Sequence, residues 1–401
     1  MAAARAYLDH NATTPVRPEV AQAMARALTD LPGNASSVHG EGRAARAAIE
    51  QARERVAALV GARAGEVVFT SGGTEANAMI LSPALMDCDG GRDCVRVPSS
   101  LLLHGATEHA CVREGHRFAA SAAEAIPVDG DGLVRLDWLE ARLTRLQREA
   151  PGARALVSLH LANNETGVIQ PLAAVVALAR RFGALVHSDA VQAAGKIAID
   201  ITALGIDALT LSAHKFGGPK GVGAVILRSG ALELADRLLR GGGQERGWRA
   251  GTENVPGIVG MGVAAEMAGQ ALSQETQRLR PLRDRLEAGL KSVAPGTVVF
   301  GEGAPRLPNT SAFATPGLSA ETVLIKLDLA GIALSSGSAC SSGKVRRSHV
   351  LDAMGIDPAM SRGALRASLG WTTSGEDIER VLAAYAKAAA GATGGTARAA
   401  A

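Results

Sequence analysis

Apolar positions along this chain recur first at helical spacing and then in short strand-like runs. Between Arg17 and Val60, Ile49, Val56 and Leu59 share one face with Arg and Glu between them, which predicts helix. Beyond that stretch, Val67-Val68-Phe69, Ala155 to Leu161, Ala184 to His187 and Ala208 to Leu211 predict strands separated by helical segments. One of those helices is predicted to begin at Pro171, with Leu172, Val175, Val176 and Ala179 on its buried face. Strands alternating with helices of this length imply right-handed βαβ crossovers and a largely parallel sheet, so the fold class is α/β.

Near Gly251 to Pro256 the texture changes. A long helical stretch is followed by short strands around Thr297 to Phe300 and Asn309 to Phe313, and then by a Ser-rich loop around Cys340. The chain is therefore expected to form a large α/β domain over 16–255 and a smaller α+β domain from 1–15 and 256–401, the latter carrying the Cys340 loop. The Ala, Gly and Thr residues at the carboxyl end have little to bury, so 390–401 is expected as a disordered tail. No internal repeat is evident.

Composition narrows the function classes. With 401 residues the chain can bury a sizeable core, and 47% hydrophobic against 20% charged residues is the balance of a folded globular protein. A formal net charge of +3 with dispersed Lys and Arg gives no support for a nucleic-acid partner. The start MAAARAYLDHNATT lacks the apolar core of a signal peptide and no uncharged apolar run is long enough for a bilayer, so no membrane association is expected and the protein reads as cytoplasmic. Four cysteines, Cys88, Cys94, Cys111 and Cys340, make a poor disulfide framework. Cys88 and Cys94 match no zinc spacing, and His104 and His109 form no convincing metal pair, so no firm metal site is expected.

Candidate chemistry begins at Ser212-Ala213-His214-Lys215-Phe216, directly after an apolar strand. A lysine there can lose its proton and attack an aldehyde, although a lone lysine is more often a solvated charge. Ser188-Asp189-Ala190-Val191-Gln192 follows another strand, and a carboxylate there suits a protonated pyridine nitrogen; an isolated Asp would more often cap a helix. The turn Ser71-Gly72-Gly73-Thr74-Glu75 lets backbone amides approach a phosphate at a helix amino terminus. In GGPKG, Gly217 to Gly221, Lys220 precedes Gly and not Ser or Thr, which excludes a Walker-type loop. The segments Gly241 to Glu245 and Ala250 to Asn254 read equally as flexible turns or as phosphate contacts through a Thr. Cys340, inside SSGSACSSG, has neither core surroundings nor a disulfide partner; it is either an accessible reactive thiol, favoured by Lys344, Arg346 and Arg347, or an ordinary surface cysteine.

Together these motifs resemble the cysteine desulfurases of the NifS and IscS type, within the class V aminotransferase fold group. The resemblance runs from YLDHNATTP at Tyr7 to LRASLG at Leu365, with SGGTEAN, ATEHA, NNETG, SDAVQ, SAHKFGGPKGVG, RAGTEN and SSGSACSSG in that order. It implies a pyridoxal-phosphate-dependent transferase of aspartate-aminotransferase-like fold, with a large mixed, mostly parallel sheet. It further implies that Lys215 carries pyridoxal 5'-phosphate and shuttles protons, Asp189 pairs with the pyridine nitrogen, and His109 stacks on the ring and assists proton transfer as a catalytic residue. Gln192 and Asn164 would lie near the ring hydroxyl, and Gly73, Thr74, Ser212 and His214 would hold the phosphate. Arg366 would grip the carboxylate of the L-cysteine substrate, with Asn34 also at the substrate. Thr252 would reach the neighbouring subunit's active site in a homodimer. Cys340 would take the sulfur as a persulfide, leave L-alanine, and pass sulfur to an acceptor or iron–sulfur scaffold protein, serving transiently as an iron–sulfur ligand. The acceptor is left open, as are the related class V activities that need the lysine and aspartate but not the thiol. Residues 83–98 look like extra material, Trp248 stands where an arginine is common, and Lys344-Val345-Arg346-Arg347 replaces an acidic segment.

Overall fold

The computed structural model describes residues 5–87, 98–228, 232–336 and 347–398. In chain order the strands are β1 (Ala6–Tyr7), β2 (Val67–Thr70), β3 (Leu85–Asp87), β4 (Ser99–Gly105), β5 (Ala123–Ile126), β6 (Arg154–Ser158), β7 (Leu185–Asp189), β8 (Ala208–Ser212), β9 (Gly223–Leu227), β10 (Leu232–Leu234), β11 (Val298–Val299), β12 (Thr310–Ala314), β13 (Ile332–Ala333), β14 (Ser335–Ser336) and β15 (Leu365–Ser368). The helices are α1 (Pro18–Asp30), α2 (Gly40–Leu59), α3 (Gly73–Ile80), α4 (Ala110–Arg113), α5 (Leu136–Glu149), α6 (Leu172–Arg181), α7 (Ile201–Leu204), α8 (Val255–Val293), α9 (Ala320–Leu329), α10 (His349–Ala353), α11 (Pro358–Arg362) and α12 (Gly375–Arg398).

The main sheet has seven strands in the order β2-β9-β8-β7-β6-β4-β5. Its β5, β4, β6, β7 and β8 run parallel, while β9 is antiparallel to both β8 and β2. Successive side chains point to opposite faces of a strand, and both faces here are covered. Val67, Phe69, Leu101, Leu103, Leu209 and Leu211 enter one core with α1, α2, α6 and the first part of α8. Val68, Leu102, Leu156, Ala208 and Val225 enter the other with α3. Because neither face meets water, the strands read as continuous apolar runs.

A four-stranded antiparallel sheet, β11-β12-β15-β14, forms the second unit. Its core joins Phe313, Leu365 and Ala367 to Leu279, Leu286 and Leu290 of α8, to α9 and α12, and to Ala6 and Leu8 near the amino terminus. The helix α8 is thus shared: residues up to Ala268 pack in the large core and residues from Leu279 in the small one. The division expected at residue 255 falls instead inside this helix, because Val255, Ile258 and Met261 lie under the main sheet. Where α8 crosses α2, a Cβ on Gly262 would stand 2.6 Å from the Ala52 Cα, so glycine permits the approach. The apolar amino-terminal part of α8 is long enough to cross a bilayer, and half of that window is buried inside the protein.

Other expectations need adjustment. The single helical stretch from Arg17 to Val60 is two helices, broken around Pro32 and Gly33. The helix α12 runs to Arg398, past position 390 where a disordered tail was expected to begin.

Candidate active site

In open α/β sheets ligands bind at the carboxyl ends of the strands. Here the segments leaving β4, β6, β7 and β8 converge on one cavity of about 290 Å³ with the amino terminus of α3, the segment after β1, and β15. Gly73, Thr74, Ser212, His214 and Lys215 line it together, as do His109, Asn164, Asp189, Gln192 and Arg366. Residues scattered from 73 to 366 in sequence thus share one wall.

Lys215 sits in a short turn after β8, and its Nζ donates to the backbone carbonyls of Asn11 (2.6 Å) and Ala12 (2.9 Å). Asn11 also receives the Gln192 amide on its backbone oxygen (2.9 Å) and the Lys196 ammonium group on its Oδ1 (2.8 Å). Lys196 donates as well to Gln192 Oε1 (2.8 Å), which fixes which end of that amide is the donor. Burial, followed by the nearby Lys215 and Arg366 charges, pushes the Lys196 pKa well down.

Asp189 ends β7 buried, with Oδ1 accepting from the Val191 amide (2.9 Å) and Oδ2 from Asn77 (2.8 Å). Burial and then the Glu108 charge raise its pKa, partly offset by those two donors. Glu108 is fully buried and pairs with His160, whose Nδ1 lies 2.9 Å from Oε1. Burial works against charge on His160, but Glu108 outweighs it and raises the pKa. His160 Nε2 is buried at the cavity with no partner among the described residues.

Arg366, 2% exposed, is held by Asp9 Oδ1 (2.7 Å) and the Asn164 carbonyl (3.0 Å), while its Nε has no partner among the described residues. A buried guanidinium at the cavity wall that retains an unused donor suits a carboxylate. Beside it, Glu165 accepts from the Ser348 hydroxyl (2.6 Å), and burial pushes its pKa up to about 7. The His214 pKa is lowered to about 4 by burial and then by the Lys215, Lys220 and Lys196 charges, so the ring is neutral at neutral pH.

At the amino terminus of α3, Gly73 lies against Val191: a Cβ there would meet Val191 Cγ2 at 2.9 Å. Glu75 turns back to accept from the Ser71 amide (2.8 Å) and from Arg249 (2.9 Å), leaving the amide end of the helix toward the cavity wall. This cradle, the Lys215 amine, the Asp189 carboxylate and the unused Arg366 donor fit a phosphorylated pyridine aldehyde and an amino acid. No group of metal-ligating side chains occurs among the described residues.

Two expected site residues lie elsewhere. Asn34 is exposed, its Oδ1 accepting from the Ser36 amide, and Thr252 is exposed after Gly251; neither lines the cavity of its own chain. Cys340 lies outside the described residues, as do Cys88 and Cys94. Gly241 to Glu245 is a structural turn: Glu245 is buried and accepts from both Nη atoms of Arg53 and from the Phe69 amide, each at 2.8 Å. The sequence reading missed Asn77, Cys111, the Glu108–His160 pair and Lys196. Asn77 and Glu108 stand inside quoted motifs, SGGTEAN and ATEHA, and that position was their only signal.

The fold and this cavity define a class V aminotransferase. The Aminotransferase class-V family pattern matches residues 6–381, and the chain belongs to that family, whose members depend on pyridoxal phosphate. Within it the chain is one of the cysteine desulfurases of the NifS and IscS type. It is 48% identical to a cysteine desulfurase of Cereibacter sphaeroides over 94% of each chain. Against the cysteine desulfurase IscS of Dictyoglomus turgidum the identity is 39% over 94% of this chain and 92% of the relative. The solved structure of a NifS-like protein from Rickettsia africae superposes with a TM-score of 0.83 at 34% identity, covering 96% of this chain and 99% of that one.

Proposed function

We propose that this chain converts L-cysteine to L-alanine and takes the sulfur onto Cys340 as a persulfide, with pyridoxal 5'-phosphate held by Lys215. The observation that carries the proposal is the convergence of a lysine amine, a buried carboxylate and a buried guanidinium on one cavity. When bound, the cofactor supplies an aldehyde for the substrate amine and a ring that withdraws electrons from the α-carbon.

Arg366 binds the substrate carboxylate and orients the amino acid. Lys215 Nζ, released from the Asn11 and Ala12 carbonyls, moves the α-proton, and Asp189 keeps a proton on the pyridine nitrogen. Gln192, oriented by Lys196, would lie with Asn164 beside the ring hydroxyl. Gly73, Thr74, Ser212 and neutral His214 would hold the phosphate. The Cys340 thiolate attacks the substrate sulfur; the carbon–sulfur bond breaks, a sulfur–sulfur bond forms, and the carbon fragment leaves as alanine, so no external oxidant or reductant is needed.

The proposal includes a homodimer. The neighbours of Asn34 and Thr252, namely Ala35, Ser36 and Glu253, line one surface cleft, which supports a shared face carrying both residues to the partner's site. The sulfur passes to an acceptor or iron–sulfur scaffold protein in the cytoplasm. A visible spectrum of the purified protein with alanine and persulfide quantified after adding cysteine tests the reading. Equal alanine and persulfide, lost in Cys340→Ala, is the expected result; a yellow protein that makes alanine unchanged without Cys340 would overturn the sulfur-transfer step.

A further inference from the structure

We propose that Cys111 is a positioning residue that holds the His109 imidazole neutral, with its proton on Nε2, and ties it through Asn77 to Asp189. The inference rests on the reading of His109 as the ring acting beside the cofactor. His109 caps α4, and the backbone amide of Cys111 donates to its Nδ1 at 3.2 Å. An amide N–H can only donate, so Nδ1 presents a lone pair and the neutral ring carries its proton on Nε2. Cys111 Sγ lies 3.0 Å from the same nitrogen, which makes the thiol hydrogen a second donor to it.

Among the described residues, the other hydrogen bond of the thiol is one that it accepts. Asn77 Nδ2 lies 3.2 Å from Cys111 Sγ and 2.8 Å from Asp189 Oδ2, one hydrogen for each. The ionised Asp189 carboxylate can only accept, which fixes the amide orientation, so the Asn77 Oδ1 receives the Thr210 hydroxyl at 2.8 Å. All donors then point one way, from Thr210 to Asn77, from Asn77 to Asp189 and Cys111, and from Cys111 to His109. Protonating Nδ1 would set a new N–H against two donors, so the chain opposes the imidazolium form. From other elements, Asp189 on β7 and Glu165 after β6 favour positive charge on His109, while His349 on α10 opposes it when protonated. Lys215 and Arg366 share the cavity. None of these changes when Cys111 is replaced.

The test is ¹⁵N NMR of the full-length holoenzyme labelled at the histidine ring, with the His109 signals assigned by their loss in His109→Gln. The wild type should show the Nε2–H form at neutral pH. Cys111→Ala should raise the protonation midpoint by about 0.5–1 pH unit, roughly three- to tenfold in proton affinity, the worth of one hydrogen bond. Cys111→Ser, which keeps a donor, should stay near wild type, and the acid limb of the kcat/KM profile should move with the NMR midpoint. If Cys111→Ala does not fold, Cys111→Val, similar in size and without a donor, is read the same way. A wild-type Nδ1–H form, or a midpoint unchanged or lowered by the alanine and valine variants, would overturn the proposal, a lowered one marking a thiolate–imidazolium pair. Unaltered turnover in His109→Gln would fault the assigned role of His109 while leaving the tautomer result to judge Cys111.

Discussion

Glu245 and Arg246 adopt left-handed backbone, with φ of 46° and 56°, a conformation that costs a non-glycine residue about 1–2 kcal/mol. What holds the turn is the Glu245 carboxylate, buried against Arg53 and the Phe69 amide. Removing one member of a buried pair strands the other charge, so Glu245→Ala should lower the unfolding free energy by about 3–5 kcal/mol in urea titration. At the cavity, Arg366→Lys replaces a planar fork with a point charge. It should cost about 1.5–3 kcal/mol of substrate binding, read as a rise in KM for cysteine of roughly ten- to a hundredfold with a smaller change in kcat. Lys215 and Asp189 were legible because each follows an apolar strand and so lands on the sheet's carboxyl edge. Asn77, Glu108 and His160 were not, since their meaning depends on partners as far away as the 112 positions between Asn77 and Asp189.

At the scale of elements, α8 does two jobs at once. Its glycine-containing first part lies close against α2, and its Leu-rich second part fills the small core. Gly262→Ala gains helix propensity of about 1 kcal/mol but drives a methyl into the Ala52 backbone, and overpacking of this kind costs about 1–3 kcal/mol. The variant should therefore be no more stable than wild type, and up to ~2 kcal/mol less, in chemical denaturation. The parallel strands β6, β7 and β8 were legible because they are buried on both faces, whereas β5, with a partly exposed Ala-Glu-Ala-Ile run, was not read. The domain division was not, since a change of texture at Gly251 to Pro256 marks where α8 begins and not where one core gives way to the other. Nor was β4 read as a strand, lying directly after the segment set aside as extra material.

At the scale of the molecule, buried histidines and Glu165 set the response to pH. Burial lowers the His187 pKa to about 4, and the His10 pKa falls to about 3 under burial and the Lys196 and Arg278 charges. The unfolded chain binds these protons more readily, so the stability they contribute is present above pH 6.5 and lost as pH falls toward 4, about 3 kcal/mol for His187. Glu165 acts oppositely: its raised pKa means the folded state holds the proton longer, so its contribution is present below about 4.5 and lost as pH rises to about 7. Urea midpoints should fall on acidification below pH 6.5, and Glu165→Gln should gain about 3 kcal/mol relative to wild type at pH 8 compared with pH 4. The proposed dimer predicts complementation: when the inactive Lys215→Ala and Thr252→Ala chains are refolded together, one site of each mixed dimer is intact, and about a quarter of wild-type activity should return if the subunits pair at random.

The cavity is closed by Asn11 from one end of the chain and Arg366 from the other, and this orders its completion in time. A ribosome releases Asn11 before Lys215, and Lys215 before the Arg366 guanidinium. A nascent or truncated chain can thus present the amine without the group that seats an amino acid. Synthesis that stops between Lys215 and Arg366 therefore leaves the lysine without its carboxylate anchor.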